Sequence, residues 1–256
     1  MSDDKILNQI EENLDDFYMK STFHPDFSGN LEGNVRWVLA KKSDWPNCIY
    51  RANIKELNMQ SVIKNIKNQM KKGIIPNEWK VGPLSTPLNL SEFLIQNGFK
   101  NVYHRSGMVL DLRRLENQSI DLDIRIVKDD YYLQEWANCV SEVFNGIKIS
   151  IGLLKFLQKD TNFTFYIGLE NNKVVSTLML VISPEGISGL RAVSTLPDYR
   201  GNGYAEQVSR KALQDAYQKD CRMGVLQASE FGEKVYAKLG FKKYCNMYSY
   251  ELELNK

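Results

Sequence analysis

In the second half of the chain the apolar positions change period in a regular order. "LDIRIV" alternates like a half-buried strand, and Leu133, Trp136, Ala137, Val140 and Phe144 then recur on one helical face. "SIGLLKFLQKD" predicts a short second helix. "FTFYIGLE" and "VVSTLMLVIS" predict two strands joined by Asn171-Asn172, a pair that tolerates positive φ. "GLRAVST" reads as a further strand, and a bare turn leads into a helix with Ala205, Val208, Ala212 and Ala216 inward. "MGVLQAS" is a strand, "EKVYAKLG" a short helix stopped by Gly240, and "KKYCNMYSYELEL" the last strand or two.

The first half follows part of the same order. "CIYRANI" predicts a strand, and "MQSVIKNIKNQMKKG" a helix with Val62, Ile66 and Met70 inward, ending at Gly73. "EWKVG" is a strand, "LSEFLIQNG" a helix closed by Gly98, and "NVYHRSGMVLDL" a strand. "SEFLIQNGFKNVYHRSGMVLDL" echoes "GEKVYAKLGFKKYCNMYSYELEL": each is a short helix, a Gly-Phe-Lys stop and an aromatic-rich strand. The polar, aperiodic stretch at 113–123 is the linker candidate. The reading is an α/β chain of α+β type, divided into 1–115 and 120–256.

Composition narrows the chemistry. The formal net charge is +2 and charged residues make up 25%, which points to neither nucleic acid nor an anionic membrane as partner. No apolar run approaches the length of a membrane span. The acidic N-terminus, with apolar residues at helical spacing, is unlike a secretory leader. Cys48, Cys139, Cys221 and Cys245 are scattered and read as reduced thiols of a cytoplasmic protein. His24 and His104 are the only histidines, and no metal-ligand cluster, G-x-S-x-G elbow or Walker loop is present, so no metal is expected. Phe23, Phe27, Trp37 and Trp45 read as core aromatics rather than a pocket lining.

One stretch carries candidate chemistry: "VSTLPDYRGNGYAEQVSRKAL", Val193 to Leu213. A helix start offers unpaired N–H groups and partial positive charge, and glycines let a bulky anion approach the backbone. Arg200 adds a forked donor suited to phosphate. By itself the turn fits either a bend or a diphosphate cradle. A dinucleotide fingerprint fails, because only Gly201-x-Gly203 matches and Asp220 lies at the end of the helix.

Val-x-Thr-x-Pro-x-Tyr-Arg-Gly-x-Gly-x-Ala resembles motif A of the GNAT superfamily of acyl-CoA-dependent N-acyltransferases, with Arg200, Gly203 and Ala205 on its core. "ASEFGEKVYAKLGF" is similar to motif B, with Tyr236, Gly240 and Phe241 in place. The resemblance covers about residues 122–254 and implies a mixed, mostly antiparallel sheet flanked by helices. The first half resembles the degenerate N-terminal module of some two-part members. The resemblance further implies an N-acetyltransferase moving an acetyl group from acetyl-CoA to a primary amine of a small molecule or peptide by direct attack. The amides of Arg200, Gly201, Asn202, Gly203, Tyr204 and Ala205 would take the pyrophosphate, and Val193, Ser194 and Thr195 would run beside the pantetheine arm. Tyr236 would protonate the leaving thiolate. Ser229 stands where many members have asparagine, and either reaches the cofactor arm or caps its helix. Gly232 stands where alanine is common. Glu142 and Glu185 are candidate bases by position, beside a water chain. A non-catalytic acyl-CoA-binding module is the alternative. The acceptor is not legible, and the N-terminal module could close the acceptor site, form a homodimer face or cap the sheet.

Overall fold

The computed structural model describes residues 3–253. The first half contains helix α1 (Asp3–Ser21), strands β1 (Phe27–Asn30), β2 (Arg36–Ala40) and β3 (Cys48–Tyr50), and helix α2 (Met59–Lys71). Strand β4 (Glu78–Val81), helix α3 (Leu90–Gln96) and the long strand β5 (Phe99–Asp111) complete it. The second half runs β6 (Asp123–Ile126), α4 (Asp130–Val143), α5 (Ile151–Gln158), β7 (Phe163–Glu170), β8 (Lys173–Ile182) and β9 (Ile187–Thr195). It ends with α6 (Tyr204–Gln218), β10 (Met223–Ala228), α7 (Glu230–Lys238) and β11 (Lys242–Leu252).

Local chemistry accounts for most boundaries. Asp129 caps α4 by accepting from the Tyr132 N–H, and Ser150 caps α5 by accepting from Leu153. Asn171 and Asn172 take φ of 49° and 64°, the left-handed pair that the tight β7–β8 hairpin requires. Helix α4 buries Leu133, Trp136, Ala137, Cys139 and Val140, while Phe144 sits half-buried at its end. Trp136 donates to the Leu178 carbonyl at 3.2 Å and meets Phe165 edge-on at 5.2 Å, an aromatic contact that contributes about 0.5–1.5 kcal/mol beyond burial. In α2 the inward set is Met59, Ile63, Ile66 and Met70, with Val62 half-buried beside it. Of the four aromatics expected inside, Phe27 is buried and Trp37 is partly buried, but Phe23 is 63% exposed.

All eleven strands of the described residues join one sheet, in the order β1-β2-β3-β4-β11-β5-β10-β9-β8-β7-β6. Most neighbours are antiparallel; β3 with β4 and β9 with β10 are parallel, each pair linked through a helix. The last strands of the two halves are exchanged. β5 from the first half pairs with β10, and β11 from the second pairs with β4, while β5 and β11 pair with each other. Helices α1, α4 and α5 pack into one apolar cluster with one face of the sheet. α6 and α7 build a second cluster, and α2 and α3 a third around Trp79. No helix among the described residues is long and apolar enough to cross a membrane.

Candidate active site

The parallel ladder between β9 and β10 holds only from Met223–Ile187 to Leu226–Leu190. Beyond it the two strands part. On β9, Ser194 and Arg191 face Thr177 and Met179 of β8, three steps against two, so β9 carries one extra residue. Ala192 absorbs it at a φ of 48°, an uncommon conformation for a residue with a Cβ. The hydroxyls of Thr177 and Ser194 both donate to its carbonyl at 3.3 Å, and Ser176 donates to the Ser194 carbonyl at 2.8 Å. The bulge turns the end of β9 away from β10 and opens a cavity of about 620 Å³.

Two chemistries line this cavity. On one side are Val193, Ser194, Thr195, Arg200 and Ala205 from β9 and the glycine turn, with Ser229, Gly232 and Tyr236 from the end of β10 and α7. Gly201, Asn202, Gly203 and Tyr204 do not line it; they form the turn that joins Arg200 to Ala205. Seven of the eleven residues singled out from the sequence therefore meet at one cavity, and the other four form the adjoining loop.

The turn fits a diphosphate. Gly201 and Gly203 have φ of 87° and 75°, and a Cβ on either would meet nothing within 4 Å, so the backbone faces open space. Helix α6 starts at Gly203 without a side-chain cap. Among the described residues, the N–H groups of residues 201–206 donate to no protein acceptor. Arg200 is held over the loop by its Nε donating to the Thr195 carbonyl at 3.3 Å. Such a row of unspent donors at a helix start is an anion site.

Tyr236 is 9% exposed, lies edge-on to Phe241 at 5.8 Å and makes no hydrogen bond through its hydroxyl among the described residues. Burial raises its pKa above the ordinary phenol value, against the opposing charge of Arg105, so the group keeps its proton at neutral pH. Gly232 belongs to this packing: a Cβ there would stand 3.2 Å from the Tyr236 ring. Ser229 caps α7, its Oγ accepting from the Gly232 N–H at 3.2 Å, and it lines the cavity as well.

The other side comes largely from elements the sequence did not connect with it. Trp45, which had read as core, walls the cavity together with Val140, Val143, Phe144 and Ile147. β4 and β5 contribute Glu78, Lys80, Tyr103 and Arg105. Glu78 accepts a short hydrogen bond from the Tyr103 hydroxyl and lies 3.5 Å from the Lys80 ammonium. Burial works against both charges, yet their attraction outweighs it: the Glu78 pKa is lowered and the Lys80 pKa raised. Arg191 lines the cavity from β9 and is 6% exposed. It donates to Gln227 Oε1 at 2.8 Å, Asn13 Oδ1 at 2.6 Å and its neighbour's carbonyl, all neutral acceptors, and its Nε is unpartnered. Burial pushes this guanidinium down to about 10.

Neither of the two candidate bases lines the cavity. Glu142 points from α4 to solvent, and Glu185 sits in the β8–β9 turn, at the opposite end of β9 from the cavity. Among the described residues, Glu78 is the one carboxylate lining the cavity. Its signal was the alternation in "EWKVG", which sets Glu78 and Lys80 on one face and buried Trp79 and Val81 on the other. Arg191 carried no separate signal within an apolar strand.

A parallel strand pair thus splays beside a glycine turn at a helix start, and the cleft between them has an anion site at its edge. The acetyltransferase (GNAT) family model matches residues 125–241, a segment of the second half of the chain. The whole fold is similar to that of a GCN5-related N-acetyltransferase from Kribbella flavida, at 11% identity and a TM-score of 0.74 over 96% of this chain and 95% of that one. It is similar too to a GCN5-related N-acetyltransferase from Sphaerobacter thermophilus, with 13% identity and a TM-score of 0.65 over 89% and 82% of the two chains. A GNAT-family acetyltransferase structure from Novosphingobium aromaticivorans gives 14% identity and 0.59 over 94% and 99%. No curated protein matches the chain in sequence.

Proposed function

We propose that the protein is an acetyl-CoA-dependent N-acetyltransferase that acts on a primary amine by direct attack. The observation that carries this reading is one cavity lined by the splayed end of β9 and by Tyr236, with the unspent N–H row of residues 201–206 in the loop that adjoins it. Arg200 and the turn amides would hold the pyrophosphate, and the free backbone edge at residues 193–195 would align the pantetheine arm. Acetyl-CoA would supply an acetyl group activated as a thioester. Preorganised N–H groups at the β9 bulge would favour negative charge on the carbonyl oxygen. The C–N bond forms as the C–S bond breaks, the amine gives up a proton, and Tyr236 returns one to the departing sulfur.

A phenol held neutral by burial is a standing proton donor. It is a weak acid toward a thiolate of ordinary pKa about 8.5, so its transfer must accompany C–S cleavage rather than precede it. Glu78, on β4 with three strands between it and β9, would attract an ammonium entering the cavity. Its lowered pKa suits it to hold that cation more than to deprotonate it, and solvent would take the proton. The chain is further read as two units, 1–115 and 120–256, the first a reduced version of the second; the repeated helix–Gly–strand order and the two parallel pairs support this.

Thermal unfolding with acetyl-CoA tests the reading. A ligand at about 100 times its Kd adds roughly 2.7 kcal/mol, or several degrees for a chain of this size. Gly203→Asp, which sets a carboxylate in the cradle, is expected to abolish the shift. An undiminished shift in that variant would place the cofactor elsewhere.

A further inference from the structure

The acceptor side of the cavity is charged in one direction. Setting aside Arg200, which belongs to the cofactor turn, three cations (Lys80, Arg105 and Arg191) face one carboxylate, Glu78. Glu78 and Lys80 satisfy each other. Arg105 is half-buried and, among the described residues, its side chain has no carboxylate within 4 Å and no hydrogen bond; its guanidinium lies over the Tyr103 ring at 5.3 Å. Arg191 is buried against neutral amides with its Nε unspent. Asp15 and Asp16 of α1 act on it only across distance: Asp15 is paired with Arg51 at 2.6 Å, and Asp16 takes the Ser183 hydroxyl. A buried guanidinium without a counter-ion is costly, and a bound anion offsets that cost. Trp45, Val140, Phe144 and Ile147 give the same cavity an apolar lining.

We propose that the acceptor is an amine that also carries a carboxylate, an amino acid with a bulky apolar side chain. Its carboxylate meets Arg105, with Arg191 supplying unmatched positive charge at the floor of the cavity. Its side chain lies on the Trp45–Phe144 wall, and its amine faces the splayed end of β9. A polyamine or an aminoglycoside would bring further positive charge to a cavity that already holds an excess, which disfavours both. This inference rests on the acetyltransferase reading above.

The test is calorimetric titration of the protein saturated with CoA, using matched pairs: L-phenylalanine against phenethylamine, L-leucine against isoamylamine, and spermidine alone. Each amino acid is expected to bind at least tenfold more tightly than its carboxyl-free partner, with spermidine weakest. Arg105→Gln is expected to bring the ratio within each pair close to one. Arg191→Gln is expected to do the same, provided its melting curve remains cooperative; Arg105, half-exposed, supplies the answer if it does not. Equal binding within the pairs, preferred binding of spermidine, or a ratio untouched by Arg105→Gln overturns the acceptor assignment alone. Failure of CoA or acetyl-CoA to bind at all overturns the reading beneath it, and the two failures are distinguished in the first titration.

Discussion

Asn13 Oδ1 accepts from Arg191 Nη2 at 2.6 Å, tying the first helix of the chain to the strand that opens the cavity. The same amide donates to Ser183 Oγ at 2.8 Å and to the Val181 carbonyl at 3.1 Å. One fully buried side chain thus ties α1 to the C-terminal end of β8 and to Arg191 in the cavity lining.

Asn13→Ala is expected to leave a buried cation and a buried hydroxyl short of partners. The loss should be about 1–3 kcal/mol, larger if the Arg191 charge stays buried. Urea unfolding measures it. A loss under about 0.5 kcal/mol, the size of an ordinary surface change, would show that α1 is not anchored through this amide.

Tyr236→Phe removes one hydroxyl without opening a cavity. Turnover should fall by about a hundredfold or more, the scale of a general-acid contribution. The Kd for acetyl-CoA should change little, because the ring and its contact with Phe241 are retained. Equal losses in affinity and turnover would make Tyr236 a packing residue.

Ser229 has two tasks in the structure. Its oxygen accepts from the Gly232 N–H, while its own proton is free to face the cavity. Ser229→Ala should therefore cost about 1 kcal/mol of stability through the lost cap and also weaken acetyl-CoA binding a few-fold. A stability loss with unchanged affinity would restrict it to capping.

Glu11 lies buried beneath the Gly82 turn, where it accepts from the Leu84 N–H at 3.0 Å. Burial raises its pKa from 4.5 to about 7, against that hydrogen bond and the charge of Arg51. The folded state thus binds the proton more tightly than the unfolded chain does. The resulting stability is complete below pH 4.5 and is lost as the pH rises through about 7. Glu11→Gln should make the protein about 2–3 kcal/mol more stable at pH 8, with little change near pH 4.5. Asp15, raised to about 6 by burial, contributes in the same sense, so part of the pH dependence remains. Denaturant unfolding at the two pH values checks this, and an identical effect at both would contradict the assignment.

The sequence made local periodicity legible. Trp136 and Val140 fell on the inner face of α4 because a helical repeat needs only its own segment to be recognised. The glycine turn was legible for the same reason: its chemistry lies within six consecutive residues. Neighbourhood across the chain was not. "NVYHRSGMVLDL" announces a strand, but nothing in it says that its partner is β10 rather than β4, so Arg105 could not be placed beside Tyr236. The bulge at Ala192 was invisible because alanine carries no preference for positive φ. β1 and β2 escaped because they are short and bury one residue each, Phe27 and Val38, too few for an alternation to show.

The exchange of β5 and β11 has a consequence for synthesis. β5 leaves the ribosome long before β10 and β11, the only strands that flank it in the finished sheet. Until β10 emerges both edges of β5 lack a partner strand, its second edge waits for β11, and the free edge of β4 waits for β11 as well. A nascent chain of this protein therefore carries a long unpaired strand through most of its production, a template for pairing with another copy. Ribosomes stalled before β11 are where this sequence is most exposed to aggregation and most in need of a chaperone.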